Sequence, residues 1–266
     1  MKPERFEFWH ALAWGRPWLA PYRAAGERVV ARLEGGAGVA EALNAAAADS
    51  APLLPAGRLR FVSAQELPRG EPYETFIARS ACVPTRDNLH DLLNGLVWLA
   101  FAPLKRRLNA LHAEQIALSG VGPKRGAVRD ALTLLDENGA FWQAPAGLVD
   151  ALQQRDWQAL FVQRRAAWLD ARLTLFGHAL LEKLCQPRKA ITAHVWPLPL
   201  GVDPQEFLVD ALSPQTLAAR PCLALPVLGV PGWWPQNQQP DFYADARVFR
   251  PSTAQTPERP LNFWGL

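Results

Sequence analysis

The sequence predicts an α+β fold, predominantly helical with a few short strands, as a single compact domain over residues 1–266 with aromatic-rich arms at both ends. Three observations carry that reading. Apolar residues recur at helical spacing through 85–118 and again through 156–185. Short runs at 58–63 and 190–198 alternate or favour extended backbone. Aromatic residues crowd the two ends, where they would be an aggregation risk unless docked on a core. At 266 residues the chain sits at the upper edge of what one core serves. Hydrophobic residues are 49% and charged residues 20%, an ordinary globular mix. The Pro/Gly-containing stretch 52–57 is the one segment that resembles a linker, and no internal repeat is present.

Taken in order, residues 5–34 carry Phe6, Phe8, Trp9, Trp14, Trp18 and Tyr22, broken by Gly15-Arg16-Pro17, and read as two short helices rich in anchors. Residues 39–48 (VAEALNAAAA) favour helix by composition. RLRFVS (58–63) reads as a strand, with Leu59 and Phe61 alternating against Arg58 and Arg60. In TRDNLHDLLNGLVWLAF (85–101), Asn88 caps a helix and Asp91 stands three residues on, in the capping-box position. Leu89, Leu93, Leu96 and Ala100 form its apolar stripe. Pro103 breaks the helix and 104–118 restarts it. VGPKRG (121–126) reads as a loop.

TLLDENGAFW (133–142) predicts a hairpin: Asn138-Gly139 lies between apolar runs, with glycine supplying the positive-φ position. From Asp156 to Cys185, Leu169, Leu173, Phe176, Leu180 and Leu184 fall on one stripe and predict a long core helix. AITAHVWPL (190–198) reads as a strand, and 203–219 as two short helices split at Pro214. From about residue 221 the Pro-, Gly- and Trp-rich chain predicts an ordered but irregular arm, pinned by Trp233, Trp234, Phe242, Tyr243, Phe249 and Trp264.

Composition narrows the function classes. A net charge of +3 and a pI near 8.9 are too mild to mark a nucleic-acid binder. The run Lys105-Arg106-Arg107 with Lys124-Arg125 reads as a solvated helix face. Cys82, Cys185 and Cys222 are odd in number and far apart, so no disulfide framework is implied. No apolar run reaches the ~20 residues that span a bilayer. The N-terminus lacks the apolar run of a signal peptide. A reducing cytoplasmic setting is expected, with no membrane partner.

Three clusters carry chemistry. In the first, Arg86, His90, Asn94 and Trp98 lie four apart on one helix face, and Asp91 shares a face with Asn94. Capping explains Asp91 and a loop contact explains Asn94; a polar pocket would explain the whole stripe. In the second, Arg129 and Asp130 precede the expected hairpin, where an ion pair or substrate contact fits, while Asp136, Glu137, Asn138 and Gly139 read as turn residues. In the third, His178 shares a helical face with Ala167, Ala171 and Thr174. Gly177 in mid-helix implies close packing, and His194 alternates toward a polar side of its strand. No HxxxH, HExxH, CxxC, Walker loop, GxGxxG or GxSxG is present, so spacing indicates no metal site and names no cofactor.

The runs VPTRDNLHDLLNGLVWLAFAPLKRRLNALH, RGAVRDALTLLDENGAFW, FGHALLEKL and GVPGWWPQNQQPDFYADARVFRP together resemble a family of uncharacterised proteobacterial proteins, known only as a domain of unknown function. The resemblance spans about residues 5–251 and implies a single cytoplasmic bacterial domain. It brings no activity or catalytic residue with it.

Two function classes stay open. One is an enzyme acting on a small polar or anionic substrate. His90 and His178 would be its acid–base groups, oriented by Asp91 or Asp130, and Arg86, Asn94, Trp98, Arg129 and His194 would hold the substrate. The other is a non-catalytic binding or scaffold protein that uses its aromatic arms, with the polar clusters as internal buttresses. Oligomeric state leaves no mark in the sequence.

Overall fold

The computed structural model describes residues 7–48, 51–120 and 126–251. Phe6, Lys124-Arg125 with most of the VGPKRG loop, and Trp264 lie outside the described residues. The chain groups into two compact units, Met1–Leu132 and Thr133–Leu266. The fold class is the expected one, α+β and predominantly helical.

In the first unit the aromatic N-terminal segment forms two 3-10 turns, Phe8–Ala11 and Pro17–Tyr22. Trp9, Trp18, Leu19 and Tyr22 are buried, and Tyr22 meets Phe101 edge-on at 5.8 Å between ring centroids. Helix α1 (Arg23–Glu34) follows directly; a Cβ at Gly26 would collide with the Trp14 ring, so only glycine lets that indole lie there. Helix α2 (Val39–Ala47) is capped by a distant residue, since Val39 N–H donates to Asp87 Oδ1 at 2.8 Å.

After a hairpin of β1 (Leu53–Leu54) and β2 (Gly57–Arg58), β3 (Arg60–Ser63) pairs in parallel with β4 (Cys82–Thr85). Parallel neighbours need a crossover, and α3 (Tyr73–Ser80) supplies it. Asn44 of α2 completes the β3 edge: its Nδ2 donates to Phe61 O at 2.7 Å, and Phe61 N–H donates to its Oδ1 at 2.8 Å. Helix α4 (Leu89–Ala100) is buried from Asp91 to Trp98, and α5 (Ala102–Ser119) starts with Pro103 in its first turn, where a missing N–H is tolerated.

The second unit centres on a four-stranded sheet. Helix α6 (Ala127–Asn138) crosses the boundary between the units and runs straight into β5 (Gly139–Gln143). The sheet order is β6-β5-β7-β8, with β6 at Arg172–Leu175, β7 at Thr192–Leu198 and β8 at Leu223–Pro226. β5 and β7 are parallel; the outer strands are antiparallel to their neighbours. Helices α7 (Ala146–Gln153), α8 (His178–Leu184), α9 (Pro204–Ala211) and α10 (Pro214–Ala219) complete the unit. Trp142, Phe141, Trp196 and Phe176 fill the core.

Several expectations need correction. The hairpin at 133–142 is absent: Thr133–Asn138 is helix, and Gly139 opens a strand without positive φ. Arg129 and Asp130 accordingly sit in α6 and not ahead of a strand. The long helix from Asp156 to Cys185 breaks into a π-turn (Ala159–Gln163), a 3-10 turn (Arg165–Asp170), β6 and α8. Its leucine stripe was coincidental, because Leu169 is 90% exposed, while Leu173 pairs with Trp142 of β5. Ala167, Ala171 and Thr174 therefore share no helix face with His178, and Gly177 is the residue before α8. The C-terminal arm is not irregular from its start, since β8 first joins the sheet. Beyond β8 the arm does follow 3-10 turns, held by Tyr243 and Phe249, both buried, and by the Trp157 Nε1 bond to Arg250 O at 2.7 Å.

Candidate functional site

In the second unit two chain segments meet where α6 ends and α8 begins. Phe176 N–H and Gly177 N–H both donate to Gly139 O, at 3.0 and 2.8 Å. A Cβ on Gly177 would stand 2.5 Å from Glu137 C, Glu137 O and Asn138 N, so this approach requires glycine. The first residue of α8, His178, is thereby pressed against the last turn of α6.

His178 is 4% exposed. Its Nδ1 lies 3.7 Å from Asp136 Oδ2 and its Nε2 lies 3.8 Å from Glu137 Oε2. Adjacent helical residues point roughly 100° apart, which is how neighbours in sequence reach opposite edges of one ring. The side chains grade outward, with exposures of 5% for His178, 16% for Asp136 and 35% for Glu137. Solvent thus reaches the group from the Glu137 side. Both separations exceed hydrogen-bond length.

Two cationic or titratable groups stand near. Lys183 Nζ in α8 donates to Asn138 Oδ1 at 2.7 Å. His194 in β7 is in register with Gly139, on the half-buried face of its strand. Burial, and after it the charge of Lys183, lowers the His194 pKa below the ordinary imidazole value, so this ring is neutral at pH 7.

The first unit answers for most of the other expected residues. Asn88 Oδ1 caps α4 by accepting from Asp91 N–H at 2.7 Å. Asp91 accepts from Arg86 N–H at 2.6 Å and from the Arg86 guanidinium through both oxygens at 2.9 Å. Arg86 stays 63% exposed while Asp91 is buried, so the pair closes the entry to the helix. Asn94 donates to Tyr73 Oη at 3.1 Å and accepts from Lys105 Nζ at 2.9 Å. That ammonium also lies 5.2 Å from the centroid of the Trp98 ring. Asn109 donates to Glu74 at 2.6 Å beside it. Asn94 and Trp98 are thus parts of a buried polar network around Lys105, while Asp91 is held by Arg86 and Asn88 at the start of the helix. His90 sits half-buried in the first turn of α4. Arg129 reaches Gly120 O at 3.4 Å, and Asp130 is exposed. An apolar cavity of about 340 Å³ lies against Phe8, Trp9, Leu33, Ala37 and Val39, with Asp87 and Asn88 on its wall, and none of the expected site residues lines it.

Sequence reasoning found His178 and His194 but set Asp136 and Glu137 aside as turn residues. The usable signal was the helical period of Leu132, Leu135 and Asn138, masked by the turn-forming composition of Asp-Glu-Asn-Gly. It also read Lys105 as a solvated charge, whereas Lys105 is 5% exposed.

Among known proteins, the family described as "Protein of unknown function (DUF3025)" matches residues 59–253. No curated protein and no solved structure matches the chain.

Proposed function

The chain belongs to DUF3025, a family of proteins of unknown function, and we propose for it an enzymatic role: action on a small polar or anionic substrate, with acid–base chemistry centred on His178 and its two carboxylates. The observation that carries this reading is a buried imidazole with a carboxylate facing each ring nitrogen, at 3.7 and 3.8 Å. Asp136, 3.7 Å from Nδ1 and on the less exposed side, would favour the tautomer with its proton there and orient the ring once the pair closes to hydrogen-bond length. Nε2 and Glu137 Oε2 are then two electron-pair donors on the solvent-facing side, where a substrate proton would be taken up. Lys183 supplies positive charge nearby for an anionic group.

A cytoplasmic setting goes with this proposal. All three cysteines are free thiols, and burial pushes the Cys185 thiol up to about 11, which keeps it protonated and inert. Among the described residues no helix is long and apolar enough to cross a membrane. The proposal includes no nucleic-acid partner.

The test uses the purified full-length chain against small phosphate esters, carboxylate esters and amides. Removing a positioned acid–base group costs roughly 10²–10⁴ in rate, so His178→Ala and Asp136→Asn should each lower turnover by ~100-fold or more while circular dichroism stays unchanged. Wild-type turnover in His178→Ala would sink the reading. A second reading, a non-catalytic scaffold, is favoured by the first unit, where Asp91 and Asn94 are fully engaged by Arg86, Tyr73 and Lys105. On that reading Asn94→Ala lowers the melting temperature and no site variant changes any turnover.

A further inference from the structure

We infer that the second unit holds a divalent-cation site in which His178 Nε2 and Glu137 Oε2 are ligands and Asp136 orients the imidazole through Nδ1. This rests on the reading of His178 as the reactive centre and specifies what would bind there: a divalent cation, whose bound water would carry the proton.

The distances argue for it. Nε2 and Oε2 stand 3.8 Å apart, too far for one to donate to the other. With the proton on Nδ1, both atoms can offer a lone pair to a cation, and among the described residues ligand atoms of Glu137 and His178 lie within 4.8 Å of one another, the spacing a shared ion needs. Zinc-like ions sit ~2.0–2.1 Å from imidazole nitrogen and ~2.0–2.2 Å from carboxylate oxygen. One ion therefore reaches both atoms with an N–metal–O angle of about 130°. Closing the pair by roughly 0.4 Å brings that angle to tetrahedral, a shift within reach of a side chain that is 35% exposed.

The exposure order assigns the roles. Glu137 faces solvent, where a hydrated ion arrives, and Asp136 at 16% lies behind the ring. A carboxylate behind a ligating histidine fixes its tautomer and raises its basicity, as in carboxylate–histidine–metal triads. Two protein ligands leave coordination positions for water and substrate. One imidazole and one carboxylate suit Zn²⁺, Co²⁺, Mn²⁺ or Fe²⁺ and not the thiolate-seeking ions. The ligands come from separate helices 41 residues apart, which is why no short motif announces them.

The test is titration of chelator-treated, full-length protein with Co²⁺, followed by its visible absorption, and with Zn²⁺ by calorimetry. One ion per chain is expected. Glu137→Gln and His178→Ala should each weaken binding at least ~10-fold, and Asp136→Asn by about 10–100-fold, the range for an outer-shell partner. Glu137→Gln is nearly isosteric and partly exposed, so it decides the matter if His178→Ala fails to fold. Absence of stoichiometric binding, or binding that Glu137→Gln leaves intact, overturns the inference. Turnover that needs His178 but survives chelation also overturns it while sparing the proposed function. Binding that follows the variants, with turnover that ignores them, supports the site and removes the proposed function.

Discussion

Replacing Gly177 with alanine tests the packing that creates the site. The added Cβ would meet Glu137 C, Glu137 O and Asn138 N at 2.5 Å. Carbon contacts relax at about 3.5–4.0 Å, so the segments must part by roughly 1 Å. All three obstacles are backbone, so no rotamer change relieves the clash. Separation also strains the bonds from Phe176 N–H and Gly177 N–H to Gly139 O. Overpacking costs about 1–3 kcal/mol, and each weakened bond adds ~0.5–1.5 kcal/mol. The total is about 2–6 kcal/mol, or roughly 4–24 °C in melting temperature for a chain of this size. Thermal denaturation followed by circular dichroism measures it. The control is Gly15→Ala, where an added Cβ meets nothing within 4 Å and φ is not positive; it should be neutral or stabilise by ~0.4–1 kcal/mol. A Gly177→Ala protein that melts within 2 °C of wild type would refute the claim that this contact is tight, and with it the physical basis for how His178 is held.

Asn44→Ala removes both side-chain bonds to the Phe61 backbone and leaves the β3 edge unsatisfied; a loss of about 2–4 kcal/mol in urea denaturation is expected, and less than ~0.5 would show that water replaces the amide. His194 has its pKa lowered by burial and by Lys183. Its neutral form therefore stabilises the fold above pH ~6.5, and that contribution is lost as pH falls from there toward the folded-state value. The melting temperature of wild type should fall more than that of His194→Gln between pH 7.5 and 5; parallel profiles would contradict this. Deleting residues 1–22 removes buried Trp9, Trp18, Leu19 and Tyr22 from the first unit, so the truncated chain should lose solubility and melt lower, and an unchanged melting temperature would show that the segment is not part of that core.

Local elements with strong start signals were legible in advance. Asn88 capped α4, Pro103 opened α5, and Ser213-Pro214 opened α10 as sequence rules require. The strand at 192–198 was also legible. The failures share one cause. Asp-Glu-Asn-Gly satisfies the rules of a turn, yet α6 runs through Asn138 and the chain enters β5 directly. Leu173 fits a helical stripe with Leu169 and Phe176 and equally a strand, and its pairing with Trp142 of β5 decided between them.

The sequence by itself determined the fold class, the helix boundaries set by caps and prolines, and membership in a family matched over residues 59–253. These are properties of local chemistry, where each residue acts on neighbours a few positions away. Only the tertiary structure decided that Lys105 is buried against Asn94 and Trp98 and that Asp136 and Glu137 flank His178. Such contacts join residues tens of positions apart through backbone approaches, like that of Gly177 to Glu137, and no local preference encodes which surfaces will meet.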